Sequence, residues 1–355
     1  MTRLFLAKSF DQSPFVAILA HYFKKEGVNS NMFAKQGDGS FSYKNFSIVE
    51  KIEDCDYILL PQYFSAYTGE QKEYIDLHIS LGKQYNKKVL LFLRGDLHHD
   101  VFIPEAIIFK AFNYRFLRKD NEIYIPCYVE DLSVGRELTI REKTNSKPVV
   151  GFCGWAGFQA PMQWLKYGIK NFLVSLKKVL TFNAQLEVFK KGIYFRRKSV
   201  KILQQSNLIQ TNFKLRKSYS GHRKTISMDP KIARQEFIDN ILESDFTLCP
   251  KGDANSSARL YEVWSLGRIP VMIDTEIILP LERLIDYTKC SVRVNYTDIQ
   301  HLPEIIANFY NKLTPEQFKE MQNEAHKAFE AYLRFDSFFN FVFDQGPEKV
   351  LKMYN

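Results

Sequence analysis

The stretch Leu248 to Val271, LCPKGDANSSARLYEVWSLGRIPV, gathers residue types suited to holding phosphate. An apolar run stops at Pro250, small and polar residues follow, helical spacing begins, and Gly267 closes it before a second apolar run. A strand-to-helix turn of this kind leaves the amides of the first helical turn unpaired, and the positive end of the helix dipole lies beside them. Gly252 permits close backbone approach, while Lys251 and Arg259 add full charges. Glu262 shares a helix border with Arg259, three positions away, and suits a bidentate contact to ribose hydroxyls. Together these would bind a nucleoside diphosphate. The same letters also fit an ordinary βα turn, with Ser256 or Ser257 a plain N-cap and Arg259 and Glu262 a solvated pair.

A second constellation, Arg94-Gly95-Asp96-Leu97-His98-His99-Asp100, follows the apolar run Lys88 to Leu93. A carboxylate or imidazole there could take a proton from an attacking hydroxyl, with Asp96 the first candidate and His98 or His99 the second. The alternative is an Arg94–Asp96 structural pair beside surface histidines. Asp54-Cys55-Asp56 spells a metal-holding D-x-D, but it precedes a strand and so falls at the end away from ligand loops. Gly151, Gly154 and Gly157 have G-x-x-G-x-x-G spacing, unlike the dinucleotide fingerprint. Tyr63, Phe64 and Tyr67 could stack on a sugar or pack in the core.

These residues need elements to hold them. Periodicity predicts strands over Leu4 to Ala7, Tyr57 to Leu60, Lys88 to Leu93, Val149 to Cys153, Leu186 to Phe189 and Phe246 to Cys249. Helices are predicted over Phe15 to Lys25, Glu70 to Leu81 with Gly82 following, Gln163 to Val179, Pro230 to Glu243, and from Ser256 or Ser257 to Leu266. The alternation argues for βαβ units and parallel sheets, whose ligands sit beyond the carboxyl ends of the strands. The polar EKTNSKP tract places the domain boundary at 146/147, giving domains 1–146 and 147–329, with the aromatic helical tail, about 330–355, crossing back to the first.

A chain of 355 residues, 45% hydrophobic and 15% aromatic, can bury a large core. The opening residues do not read as a signal peptide and no run approaches a membrane span, which leads us to expect a cytoplasmic protein. Five scattered cysteines, without a C-x-x-C pair, indicate neither a disulfide framework nor a zinc site. The net charge of +9 suits nucleic acid, an anionic membrane surface or small anionic ligands. No nucleic-acid motif accompanies it, so no nucleic-acid partner is expected.

From Glu243 to Val294 the sequence resembles the exostosin-like glycosyltransferases, especially soluble bacterial members. The likeness rests on a strand ending LCP, a glycine loop, a serine-bearing turn, an R-x-x-E helix, then G-x-I-P-V and a downstream leucine-proline. Weaker echoes are DCDYILLPQY at Asp54, EIYIPCY at Glu122, KPVVGFCGWAG at Lys147 and LRKSYSG at Leu215. The resemblance implies a GT-B fold, two Rossmann-like α/β domains with parallel sheets facing a central cleft. It also implies inverting transfer from a nucleotide-sugar, a UDP-sugar in our reading, to a surface glycan, without a metal or other cofactor. The match assigns the donor to Lys251, Asn255, Ser256, Ser257, Arg259 and Glu262, with Arg216 a further diphosphate contact. Arg259 would then also be catalytic, stabilising the leaving diphosphate. A lipid-linked acceptor or an anionic membrane would suit the basic surface. The loop GFCGWAGF departs from the family pattern in lacking a following arginine. A guanosine-donor fucosyltransferase and a non-catalytic nucleotide-sugar or glycan binder are the rival readings.

Overall fold

The computed structural model describes residues 1–11, 15–19, 42–65, 67–93, 101–157, 161–218, 226 and 228–354. The chain divides into two compact units: Met1–Val129 with Ile277–Asp286 and Glu330–Asn355, and Glu130–Glu276 with Tyr287–Phe329. The irregular segment 130–148 thus groups with the second unit, and the tail from Glu330 with the first.

In the first unit, β1 (Thr2–Leu6), β2 (Phe46–Val49), β3 (Tyr57–Phe64), β4 (Lys88–Leu93), β5 (Ala106–Lys110) and β6 (Glu122–Tyr124) form one sheet. Its order is β2-β1-β3-β4-β5-β6, with every neighbouring pair parallel. Strands covered on both faces read as continuous apolar runs, and KVLLFL and AIIFK do so. Helix α1 (Gly69–Tyr85) outruns its predicted end: Gly82 lies inside it, and Asn86 takes the left-handed C-terminal position at φ 53°. Little of the predicted helix from Phe15 to Lys25 falls within the described residues.

The second unit carries β7 (Val149–Trp155), β8 (Gln210–Arg216), β9 (Phe246–Cys249), β10 (Ile269–Asp274) and β11 (Val292–Asn295), all parallel, in the order β11-β10-β9-β7-β8. Helices α2 (Pro161–Leu180), α3 (Gly192–Gln205), α4 (Pro230–Leu242), α5 (Ala258–Ser265), α6 (Leu302–Lys312) and α7 (Pro315–Ala328) belong to it. Pro230 with Asp229 starts α4, the Asp229 carboxylate accepting from the amides of Lys231 and Ile232. The two doubly wound parallel-sheet halves of a GT-B fold are therefore both present.

One predicted strand is absent. Leu186 to Phe189 lies in a 3-10 helix, Ala184–Phe189, opened by Asn183, whose side-chain oxygen accepts from the Gln185 amide. Three apolar residues in a stretch of four suit a short helix as well as a strand. The edge position goes to β8, QTNFKLR, whose mostly half-exposed residues hid it from an apolar-run criterion. Two short helices, α8 (Phe335–Gln345) and α9 (Pro347–Lys352), close the first unit, with Phe339 against Phe92 and the Tyr354 hydroxyl donating to the Tyr124 carbonyl at 2.9 Å.

Candidate functional site

Sheet order locates the site in the second unit. Counted within that unit its strands run 2-1-3-4-5, an arrangement in which the chain reverses winding direction between the first and third. Those strands are β7 and β9, which pair only at Val150↔Phe246 and Gly151↔Thr247. Beyond that point β7 continues with β8 to Trp155↔Arg216, and β9 continues with β10 to Cys249↔Met272. The sheet therefore opens between β7 and β9 at their carboxyl ends.

Arg259 fills this opening. Its Nη2 donates to the Cys153 carbonyl at 2.8 Å and Nη1 to the Leu248 carbonyl at 3.3 Å, joining the parted strands. The guanidinium carbon lies 4.4 Å from the Phe152 ring centroid and 5.4 Å from that of Phe237. Among the described residues no carboxylate lies within ion-pair distance of Arg259, so its charge is met by carbonyl dipoles and rings alone. A half-buried cation in that condition favours an incoming anion. Arg216, ending β8, donates through Nη2 to the Ala233 carbonyl at 2.7 Å and to Glu236 at 3.1 Å. Burial pushes the Cys153 thiol up, and the positive charges of Arg216 and Arg259 oppose that rise.

The glycine loop has a structural reason. A β-carbon on Gly151 would lie 2.2 Å from Ser244 Oγ, so this glycine lets the turn before β9 press against β7. Gly154 has φ +155°, and a β-carbon there would stand 2.8 Å from Arg259 Nη2. Gly154→Ala should therefore displace the guanidinium, weakening nucleotide affinity by about tenfold while costing about 1–2 kcal/mol of stability. Isothermal titration beside a denaturant melt checks both numbers.

The loop itself is held from several sides. The Gly252 amide donates to the Ser256 carbonyl at 2.7 Å, closing the turn. Asn255 is buried; Nδ2 donates to the Thr275 and Glu276 carbonyls at 3.2 Å each, and Oδ1 accepts from the Thr275 hydroxyl at 2.6 Å. These bonds fasten the loop to the end of β10, where Glu276 holds a left-handed φ of 61°. Ser257 is the N-cap of α5, yet its side chain makes no capping bond, while Ser256 and Ala258 are half-buried. The helix ends at Ser265, one residue before its predicted end, and Gly267 turns the chain at φ 60°.

Lys251 is buried, with Nζ donating to the Val188 carbonyl and lying 5.5 Å from the Phe195 ring centroid. Burial, reinforced by Lys191, lowers it from its ordinary 10.5 to about 7, against the pull of Asp253. Between those values the unfolded chain binds the extra proton, so this lysine makes stability rise with pH from about 7 to about 10.5. Comparison with Lys251→Met isolates the effect: the variant-minus-wild-type difference should move in the wild type's favour by about 3 kcal/mol between neutral pH and pH ~10 in urea melts.

Glu262 is buried and accepts from Arg234 Nη1 at 2.7 Å, and Arg234 Nη2 donates to Glu130 at 2.7 Å. Burial alone would lower the Arg234 guanidinium, but Glu262 and Glu130 hold it above its usual range. Nothing local in the sequence marks Arg234; its partners lie on α5 and at the start of the unit, and only the fold joins them. Phe152 and Phe237, the rings beneath Arg259, were equally hidden as ordinary apolar positions.

Asp96, His98 and His99 lie outside the described residues. Asp56, at the amino end of β3, pairs with Arg3 at 2.8 Å, and that hydrogen bond holds its carboxyl below the usual range. Among the described residues no group of three or more His, Cys, Asp or Glu gathers as metal ligands do.

The family model for the Exostosin GT47 domain matches residues 122–309, which include the whole of this site from β7 to α5. The chain is 30% identical over 101 residues to "Exostosin-1 homolog" of Caenorhabditis elegans, covering 28% of this chain and 25% of that protein. It is 32% identical over 91 residues to "Probable glucuronosyltransferase 47 A" of Physcomitrium patens, covering 26% of this chain and 20% of that one. It thus spans a quarter or less of these relatives' length. Among solved structures, the Anabaena protein Alr3699/HepE, crystallised with UDP and glucose, aligns over 99% of both chains at 11% identity and a TM-score of 0.34.

Proposed function

Because the chain belongs to the exostosin GT47 family, its model matching more than half of the sequence, we propose that it is a glycosyltransferase that moves a sugar from a UDP-sugar to a glycan acceptor with inversion. The observation that supports this most is the Arg259 guanidinium, set between the carboxyl ends of β7 and β9 without a carboxylate partner among the described residues. In this reading the donor diphosphate lies against Arg259 and the amides at the start of α5, with Lys251 and Arg216 behind it and Glu262 toward the ribose. The acceptor hydroxyl attacks the anomeric carbon, the bond from that carbon to the diphosphate oxygen breaks, and UDP leaves with the electron pair. Arg259 stabilises the charge that develops on the leaving oxygen, the part a metal plays in other transferases. Asp96, or else His98 or His99, takes the acceptor proton. The acceptor is a surface polysaccharide or its lipid-linked precursor.

A thermal-shift panel of nucleotides tests the donor half. UDP at about a hundred times its Kd should add about 2.7 kcal/mol to the stability of the folded state and raise Tm accordingly. Mass spectrometry of UDP-sugar and oligosaccharide mixtures should then show a product heavier by one sugar. Protection by GDP in place of UDP would favour the fucosyltransferase reading. A well-folded protein indifferent to every nucleotide would end both.

A further inference from the structure

Helix α2 is turned the wrong way round for a helix of a compact domain. Its most covered described residues, Tyr167, Asn171, Val174, Ser175 and Lys178, recur at helical spacing and are only half-buried. On this side Lys178 pairs with Glu187 of the 3-10 helix, the Asn171 side chain accepts from the Lys191 amide at 3.4 Å, and the Tyr167 ring lies 6.5 Å from that of Trp155 at the end of β7. The opposite face carries Leu165, Ile169, Phe172, Leu173, Leu176 and Leu180, each between 42% and 70% exposed. At 3.6 residues per turn these six fall within an arc of about 100°. Phe182, just past the helix, is 96% exposed. An apolar stripe of this length on a surface marks an interaction site.

The charge around the stripe selects the occupant. No aspartate or glutamate occurs between Pro161 and Leu180, and exposed Lys170 and Lys177 follow one border of the stripe. The carboxylates identified beside α2 lie on its packed side and both are paired, Glu187 with Lys178 and Lys190, and Asp253, near Tyr167, with Lys191. No helix among the described residues is long and apolar enough to cross a membrane. An apolar face with a purely cationic border matches the interfacial region of an anionic bilayer, where acyl chains take the leucines and headgroups the ammonium groups. We propose that α2 lies in the plane of an anionic phospholipid surface and holds the protein against it. The inference stands apart from the donor reading, since the exposed stripe lies on the face of α2 opposite Tyr167, the residue through which the helix meets Trp155 at the end of β7.

Sedimentation with vesicles tests it. The full chain should bind vesicles of phosphatidylcholine mixed with phosphatidylglycerol, bind those of phosphatidylcholine alone at least about tenfold more weakly, and come off as salt rises. Phe172→Glu with Leu176→Glu should reduce binding to mixed vesicles at least about tenfold, and Lys170→Glu with Lys177→Glu should do so too. Both pairs are exposed, so the circular dichroism spectrum and any nucleotide-induced Tm shift should stay unchanged. A wild-type chain that ignores mixed vesicles overturns the proposal. So does a dimer in light scattering that the Phe172 and Leu176 pair dissolves while vesicle binding persists, which would give the stripe to a second copy. Vesicle binding without a nucleotide shift would leave this inference intact and remove the donor reading; the reverse result would do the opposite.

Discussion

Arg259→Ala is expected to remove nucleotide protection in a thermal shift and to lower kcat/KM on the order of a hundredfold or more, with the fold retained. The size follows from the setting. A guanidinium facing a diphosphate forms charge-assisted hydrogen bonds, each worth about 1.5–3 kcal/mol, and the partly buried position limits screening by solvent. The apo protein loses less, because the two bonds given up end on carbonyls at the strand ends, where water can replace them. Arg259→Lys should recover little: an ammonium can neither bridge the Cys153 and Leu248 carbonyls as a fork nor spread over the Phe152 ring. A rate that survives Arg259→Ala would place the leaving-group charge elsewhere.

How far this site can be read from sequence depends on the range of the interactions that make it. Strand Phe246–Cys249, the turn after Pro250 and the left-handed Gly267 follow from short-range rules, and the structure has them within a residue of the predicted places. Arg259 was visible as a charged residue in the first turn of a helix, but its station was not. That depends on strand order, which puts Cys153 beside it across more than a hundred positions of chain. Lys251 shows the other limit. By residue type it is a solvated cation, whereas Val188 and Phe195 enclose it and bring it to about 7. β8 went unrecognised because an edge strand needs only part of its length apolar, and the 3-10 helix at 184–189 took its letters from the same alphabet as a strand.

Glu262→Ala should have two separable consequences, and separating them decides what this carboxylate does. The first is structural. Arg234 is largely buried between Glu262 and Glu130, and Glu130 is the more exposed of the two partners, with 43% of its side chain accessible against 10% for Glu262. Removing Glu262 leaves a guanidinium poorly compensated in a low-dielectric setting, which should cost about 2–3 kcal/mol in a denaturant melt. Removing both charges, as Glu262→Ala with Arg234→Met, should recover most of that loss, because an apolar replacement carries no desolvation penalty. The second consequence concerns the nucleotide. If the carboxylate also accepts from ribose hydroxyls, the stabilised double variant should still bind UDP at least about tenfold more weakly than wild type, since two hydrogen bonds to a charged group are missing. Arg234→Met alone should then bind UDP as well as wild type or better, its freed Glu262 having exchanged a guanidinium for the ribose. Wild-type affinity in the double variant would reduce Glu262 to the anchor of Arg234 and leave the ribose to be held by another group.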